Sequence, residues 1–190
     1  MKKSKGFTLI ELMVVLSIVA VLATMAAPSL KRLLQSTAMS SNVNTFLADM
    51  RYARSESIRR GGGVVMCRSD EPEAIKAKCG EGSTAGWESG WIIFHNLDNG
   101  DTRTLKEPLL RVQGPITGIN TIAETGAATL FKFTATGRLN LNGATHLTFG
   151  SPPAYATDDQ RIVCVNLGGR ARIALDSEGR PTGNAKCATD

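Results

Sequence analysis

Gly6-Phe7-Thr8-Leu9-Ile10-Glu11 opens a stretch that carries no further charge from Leu12 to Ala27 and ends at Pro28. At 1.5 Å rise per residue, a helix over 7–27 is about long enough to cross a hydrocarbon core of about 30 Å. Glu11 is the exception inside it, because an acidic side chain at the bilayer centre costs about 3 kcal/mol on insertion scales. A carboxylate kept at that cost implies a partner. Lys2, Lys3 and Lys5 precede the run, so the positive-inside rule sets the N-terminus in the cytoplasm and the remainder outside. A secretory signal would carry a small-residue cleavage site after the run. Ala23-Thr24-Met25-Ala26-Ala27 has that character only weakly, and this reading, like that of a plain single-span anchor, leaves Glu11 without a role.

Beyond Pro28 the helical period continues. Met39, Val43, Phe46, Leu47, Met50, Ala53, Ser57 and Ile58 recur at steps of three and four and predict one buried stripe. Lys31, Arg32, Asp49, Arg51, Arg54, Glu56, Arg59 and Arg60 are expected mostly on the other faces, and Gly61-Gly62-Gly63 ends the helix. One helix over 7–60 would be roughly 80 Å long. From Gly63 onward the pattern is that of strands: Val64-Val65-Met66-Cys67, Trp91-Ile92-Ile93-Phe94, Thr129-Leu130-Phe131-Lys132-Phe133, then 138–141, 145–149, 161–165 and 170–175. Turn signals separate them, with Asn142-Gly143 and Gly168-Gly169 each read as closing a hairpin. The stretch 69–89 is polar and reads as a surface loop. The predicted class is α+β: a long N-terminal helix, half membrane span and half amphipathic, packed on an antiparallel β-sandwich-like head over 61–190.

The formal net charge is +5 over 190 residues. Lys2, Lys3 and Lys5 carry three of those charges, which leaves +2 for the rest, too little for a dedicated nucleic-acid-binding chain. Any such activity has to come from a local patch. Four cysteines suit two disulfides in an oxidising compartment. Of the three possible connectivities, Cys67–Cys79 with Cys164–Cys187 closes two short loops, each stabilising by roughly 3 kcal/mol. A zinc site competes poorly, since there is no CxxC and His95 and His146 lie far from either cysteine pair. No metal and no cofactor are expected, and no triad spacing surrounds either histidine, so the chain does not read as an enzyme.

The run Gly6-Phe7-Thr8-Leu9-Ile10-Glu11 with the apolar segment and Pro28 resembles the N-terminus of type IV pilins and pseudopilins. The resemblance implies a leader, 1–6, cut by a prepilin peptidase between Gly6 and Phe7, with N-methylation of Phe7. It implies that Glu11 pairs with the terminal amine of a neighbouring subunit, that 7–27 is the membrane span and filament core, and that 7–60 is one helix. It also implies residence as a single-pass protein of the bacterial inner membrane with its head in the periplasm, then assembly with major and minor pilins at the cell surface. Arg51-Tyr52-Ala53-Arg54-Ser55-Glu56-Ser57-Ile58-Arg59-Arg60-Gly61, Gly90-Trp91-Ile92-Ile93-Phe94 and Thr136-Gly137-Arg138 resemble the FimT/GspH family of minor pilins and pseudopilins, over nearly the whole chain.

Within that family, FimT-like minor pilins of competent bacteria bind DNA through a C-terminal Gly-Arg-x-Arg motif, and Gly169-Arg170-Ala171-Arg172 stands where the motif does. In an extended strand Arg170 and Arg172 share a face about 7 Å apart, close to the spacing of successive phosphates. Guanidinium also fits phosphate with two parallel donors. Gly168 and Gly169 would let a duplex approach the backbone. Arg180 and Lys186, on a tail tied back by the second disulfide, and Arg161 and Arg138 are further candidates, opposed by Asp176, Glu178 and Asp190. Without an aromatic residue between Arg170 and Asp190, contacts to double-stranded DNA would be to the phosphate backbone, indifferent to sequence and steeply salt-dependent. Arginines on an edge strand also serve simply to discourage edge-to-edge pairing. Two other functions are open: a FimU-like structural minor pilin that initiates pilus assembly, and a GspH-like minor pseudopilin of type II secretion.

Overall fold

Helix α1, Leu9–Arg60, is the longest element of the computed structural model, which describes residues 6–80, 86–126, 128–141, 143–151 and 155–187. Lys2, Lys3 and Lys5 of the leader, part of the 69–89 stretch, Asn142 of the expected Asn142-Gly143 turn and Asp190 lie outside the described residues. The chain divides into two compact units, Met1–Thr37 and Ala38–Asp190.

In the first unit every described side chain of α1 through Leu34 is exposed, and from Leu12 to Ala27 none is charged. Thr8 caps it: the Glu11 N–H donates to Thr8 Oγ1 at 3.3 Å, the arrangement expected of Thr-x-x-Glu at a helix start. Pro28 sits inside the helix. Its missing N–H leaves the Thr24 carbonyl without the usual i+4 donor.

The second unit is the head. After α1, strands β1 (Val64–Arg68), β2 (Trp91–His95), β3 (Leu109–Gln113) and β5 (Leu130–Phe133) form one sheet in the order β3-β2-β1-β5. Strands β4 (Ile122–Glu124), β6 (Thr145–Phe149), β7 (Arg161–Val165) and β8 (Ala171–Ile173) form a second, ordered β4-β6-β7-β8. Every pairing is antiparallel. Both sheets and the helix feed one core. Phe46 stands edge-on to Trp87, Trp91, Phe131 and Phe149, with ring centroids 5.4–6.4 Å away, a geometry worth about 1 kcal/mol per pair beyond area burial.

Several expectations change. Ile58 is exposed, because the helix is near its end and the glycines after it turn the chain away. Asp49 and Glu56 are buried rather than on a solvated face. Asp49 accepts from Trp91 Nε1–H at 2.8 Å and lies 3.0 Å from Arg111 Nε. Burial raises its pKa above the ordinary carboxylate value, and the Trp91 bond and the Arg111 charge offset part of that rise. Trp87, inside the stretch read as a surface loop, is a core residue held by a bond from Nε1–H to the Ala128 carbonyl, 3.1 Å. Strands β3 and β4 were not expected. The segment 138–141 forms no strand: it makes one isolated bridge, Phe133 to Leu139, and then leaves β5. Among the described residues β6 is flanked by β4 and β7, and 138–141 is not its neighbour in the sheet.

Candidate functional site

The β7–β8 hairpin is set by its turn. Gly169 N–H donates to the Asn166 carbonyl at 3.0 Å, Asn166 N–H donates to the Arg170 carbonyl at 3.0 Å, and Asn166 Oδ1 accepts from Arg170 N–H at 3.1 Å. Gly169 has φ +72°, the left-handed residue that a three-residue hairpin loop of this kind needs. A Cβ there would fall on the Gly137 carbonyl oxygen. Gly169 is therefore accounted for by turn geometry and by close packing of two turns, a different reason from the open approach of a duplex. Asn166 was missed from the sequence, although an Asn three residues before a glycine is a turn signal.

From that turn the two faces of the hairpin separate. Val163, Val165, Ala171 and Ile173 pack on the core. Ile162, Cys164 and Ala174 face the other way and are covered by Ala185 and Cys187 of the tail. Cys164 pairs with Arg172 across the strands, so Arg170 and Arg172 share this outer face, and both are exposed. The disulfides join Cys67 to Cys79 and Cys164 to Cys187, with Cα–Cα distances of 5.4 and 5.6 Å, ordinary values for unstrained bridges. The second disulfide ties the tail onto this outer face.

A groove of 610 Å³ lies here, lined by Arg138, Arg170 and Arg172 with Cys164, Cys187 and the 165–168 turn among its walls. No acidic and no aromatic side chain lines it among the described residues. Arg138 arrives from the turn after β5, where Thr134 Oγ1 accepts the Arg138 N–H at 3.2 Å. The next residue binds that turn to the hairpin, Leu139 N–H donating to the Leu167 carbonyl at 2.9 Å. Three exposed guanidinium groups from two segments thus converge on one concave surface, a geometry that suits phosphate oxygens.

The other candidates are not brought there. Arg161 is at the opposite end of β7, with its guanidinium on the Asp158 and Gln160 carbonyls at 3.1 and 2.8 Å. Arg180 is held by Asp176 at 3.2 Å and Glu178 at 3.0 Å. The backbone N–H of Arg180, ahead of its side chain, keeps the Asp176 carboxyl below the usual range. Lys186 is exposed beside Cys187 and does not line the groove. In the other unit Gly6, Phe7 and Glu11 are exposed at the helix start.

Residues 42–169 match the family model of the type II transport protein GspH, and residues 1–27 match the prokaryotic N-terminal methylation motif. The first match stops one residue short of Arg170. No curated protein sequence matches the chain significantly. Two crystal structures of the type IV minor pilin FimU of Pseudomonas aeruginosa are similar in fold. One has 20% identity and TM-score 0.56, covering 76% of this chain and 94% of that one. The other has 21% identity and TM-score 0.54, covering 76% and 98%.

Proposed function

The chain belongs to the FimT/GspH family of type IV minor pilins and pseudopilins, and from that premise we propose that it binds extracellular double-stranded DNA through the arginine-lined groove. Membership implies assembly with other pilins in a filament, and the family and fold are those of structural pilins rather than enzymes. The apolar helix and the methylation motif suggest membrane anchoring followed by a pilus.

The single observation that carries the DNA reading is the convergence of Arg138, Arg170 and Arg172 on one groove whose described lining has no carboxylate. A cationic concavity without aromatic walls suits a phosphate backbone and offers no base stacking. Binding is then non-specific in sequence and weakens steeply with salt. The N-terminal roles belong to the same reading. Prepilin peptidase cuts between Gly6 and Phe7, the Phe7 amine is methylated, and Glu11 pairs with that amine on a neighbouring subunit. The head stands in the periplasm until the subunit leaves the inner membrane for the filament, where it supports DNA uptake in natural transformation.

A chromosomal Arg170→Ala/Arg172→Ala substitution tests this. Transformation is expected to fall with pili still assembled. Unchanged transformation would contradict the reading. The match of 42–169 to GspH favours a second possibility, a minor pseudopilin of a type II secretion system, and the fold shared with FimU favours a FimU-like assembly initiator. There, deleting the gene abolishes secretion or pili, and the double substitution changes nothing.

A further inference from the structure

The groove is joined to the long helix through two glycines. Gly137 has φ +73°, and its carbonyl oxygen occupies the space that a Cβ on Gly169 would need. A Cβ on Gly137 itself would lie 3.0 Å from both Cγ and Nε of Arg54 and 2.9 Å from Ile58 Cδ1. The Arg54 side chain therefore lies against the same turn that presents Arg138, and the turn lies against the hairpin that presents Arg170. Three segments distant in sequence are layered with no side chain between their backbones at 137 and 169.

Arg54 is unusual among the helix arginines. It is half-buried, and its Nε is buried with no hydrogen-bond partner among the described residues. Arg59 and Arg60, one turn on, both bind Glu56, at 2.6 and 2.7 Å. Among the described residues no ion pair involves Arg54, Arg138 or Arg170. A guanidinium partly withdrawn from water without a carboxylate is costly, and an arriving anion offsets that cost.

Resting on the DNA reading of the groove, we propose that Arg54, which packs against the Arg138 turn without lining the groove, adds a phosphate contact to those of Arg138, Arg170 and Arg172. Gly137 and Gly169 are the positioning residues of this site, holding helix, turn and hairpin at one spacing. The ligand is the backbone of a nucleic-acid duplex, engaged by the end of α1 as well as by the hairpin. The layering also explains why glycine is required at 169: the position fixes how far the Arg138 turn stands from Arg170.

The experiment uses the full chain in a neutral detergent, a short DNA duplex and a salt series. Each phosphate contact contributes about 0.9 to the slope of log affinity against log salt. Arg54→Gln is expected to lower the slope by about that amount, while Lys106→Gln, the same charge change on an exposed loop, leaves it unchanged. Gly169→Ala keeps every arginine and is expected to lose about tenfold or more in affinity. Gly179→Ala, at φ +77° with nothing within 4 Å of a new Cβ, carries the same backbone strain and is expected to keep it. If Gly169→Ala fails to fold, Arg54→Gln decides. A wild-type slope for Arg54→Gln, with binding lost in Arg170→Ala/Arg172→Ala, would overturn this inference and leave the DNA reading standing. Wild-type binding by that double variant would remove both.

Discussion

Two sets of arginines in the head differ in what answers their charge. Along the helix and the β3 edge, Arg111 lies on buried Asp49 and over the Tyr52 ring, 5.4 Å from its centroid, while Arg59 and Arg60 share Glu56. At the turn after β8, Arg180 lies between Asp176 and Glu178. Arg138 and Arg170 in the groove, and Arg54 against the Arg138 turn, have no such carboxylate among the described residues. An arginine answered by a carboxylate belongs to the fold, since its removal strands a buried or half-buried acid. An arginine left unanswered stabilises the fold little and projects its field into solvent, where a phosphate can reach it. The two groups should therefore separate stability from binding.

The largest break in this comparison is at Asp49. Asp49→Ala leaves Trp91 Nε1–H and Arg111 without their acceptor and is expected to destabilise the head by about 2 kcal/mol, the cost of a stranded buried donor. Duplex affinity should not change. Denaturant unfolding and a binding titration on the same variant check both halves. The mirror experiment is Arg138→Ala/Arg170→Ala, which should cost affinity while shifting stability by no more than about 0.5 kcal/mol.

A finer break uses pH. Burial raises the Asp49 pKa above the ordinary 3.8, so the folded state holds that proton more tightly than the unfolded chain. Stability from this group is greatest at low pH and falls as pH rises from about 3.8 through the raised folded value. Glu56, lowered first by its bond from Arg59 and then by Arg60, and Asp176 have the opposite sign. Their contributions are complete above the ordinary carboxylate pKa and are lost as pH falls through the depressed folded values. Asp49→Asn is expected to remove only the falling component, leaving a denaturation midpoint that rises monotonically through the acid range. A wild-type-like profile in that variant would mean that Asp49 does not titrate as described. The smallest effect is expected at Glu56→Gln, about 0.5 kcal/mol, because Arg59 is solvated.

Sequence reached furthest where one local period suffices. The stripe from Met39 to Ser57, the alternation in β5 and the Gly168-Gly169 turn were all legible, and so was the shared face of Arg170 and Arg172. What failed depends on long-range pairing. Leu109–Gln113 has no alternation because it is an edge strand with most of its residues partly or fully exposed, although Pro108 and Gly114 bracket it. Residues 138–141 alternate like a strand but are drawn off β5 by the bond from Leu139 to Leu167. Asp49 reads as a solvated helix charge until Trp91, forty-two positions on, supplies its donor. At the site, Arg138 joins the groove only through the contact between two turns, which no spacing encodes. Arg161 reads as a further candidate beside the motif, yet β7 carries it to the far end. Arg180 reads as a candidate as well, and Asp176 and Glu178, beside it in the sequence, answer its charge.

The central claim is that the groove arginines bind a phosphate backbone. The most direct test is the equilibrium affinity of the full chain, disulfides formed and in a neutral detergent, for a short duplex across a salt series, beside Arg170→Ala/Arg172→Ala. The account predicts wild-type binding that weakens steeply with salt and is lost in the double variant while the fold is retained. Equal binding by the two proteins, or affinity indifferent to salt, would contradict it.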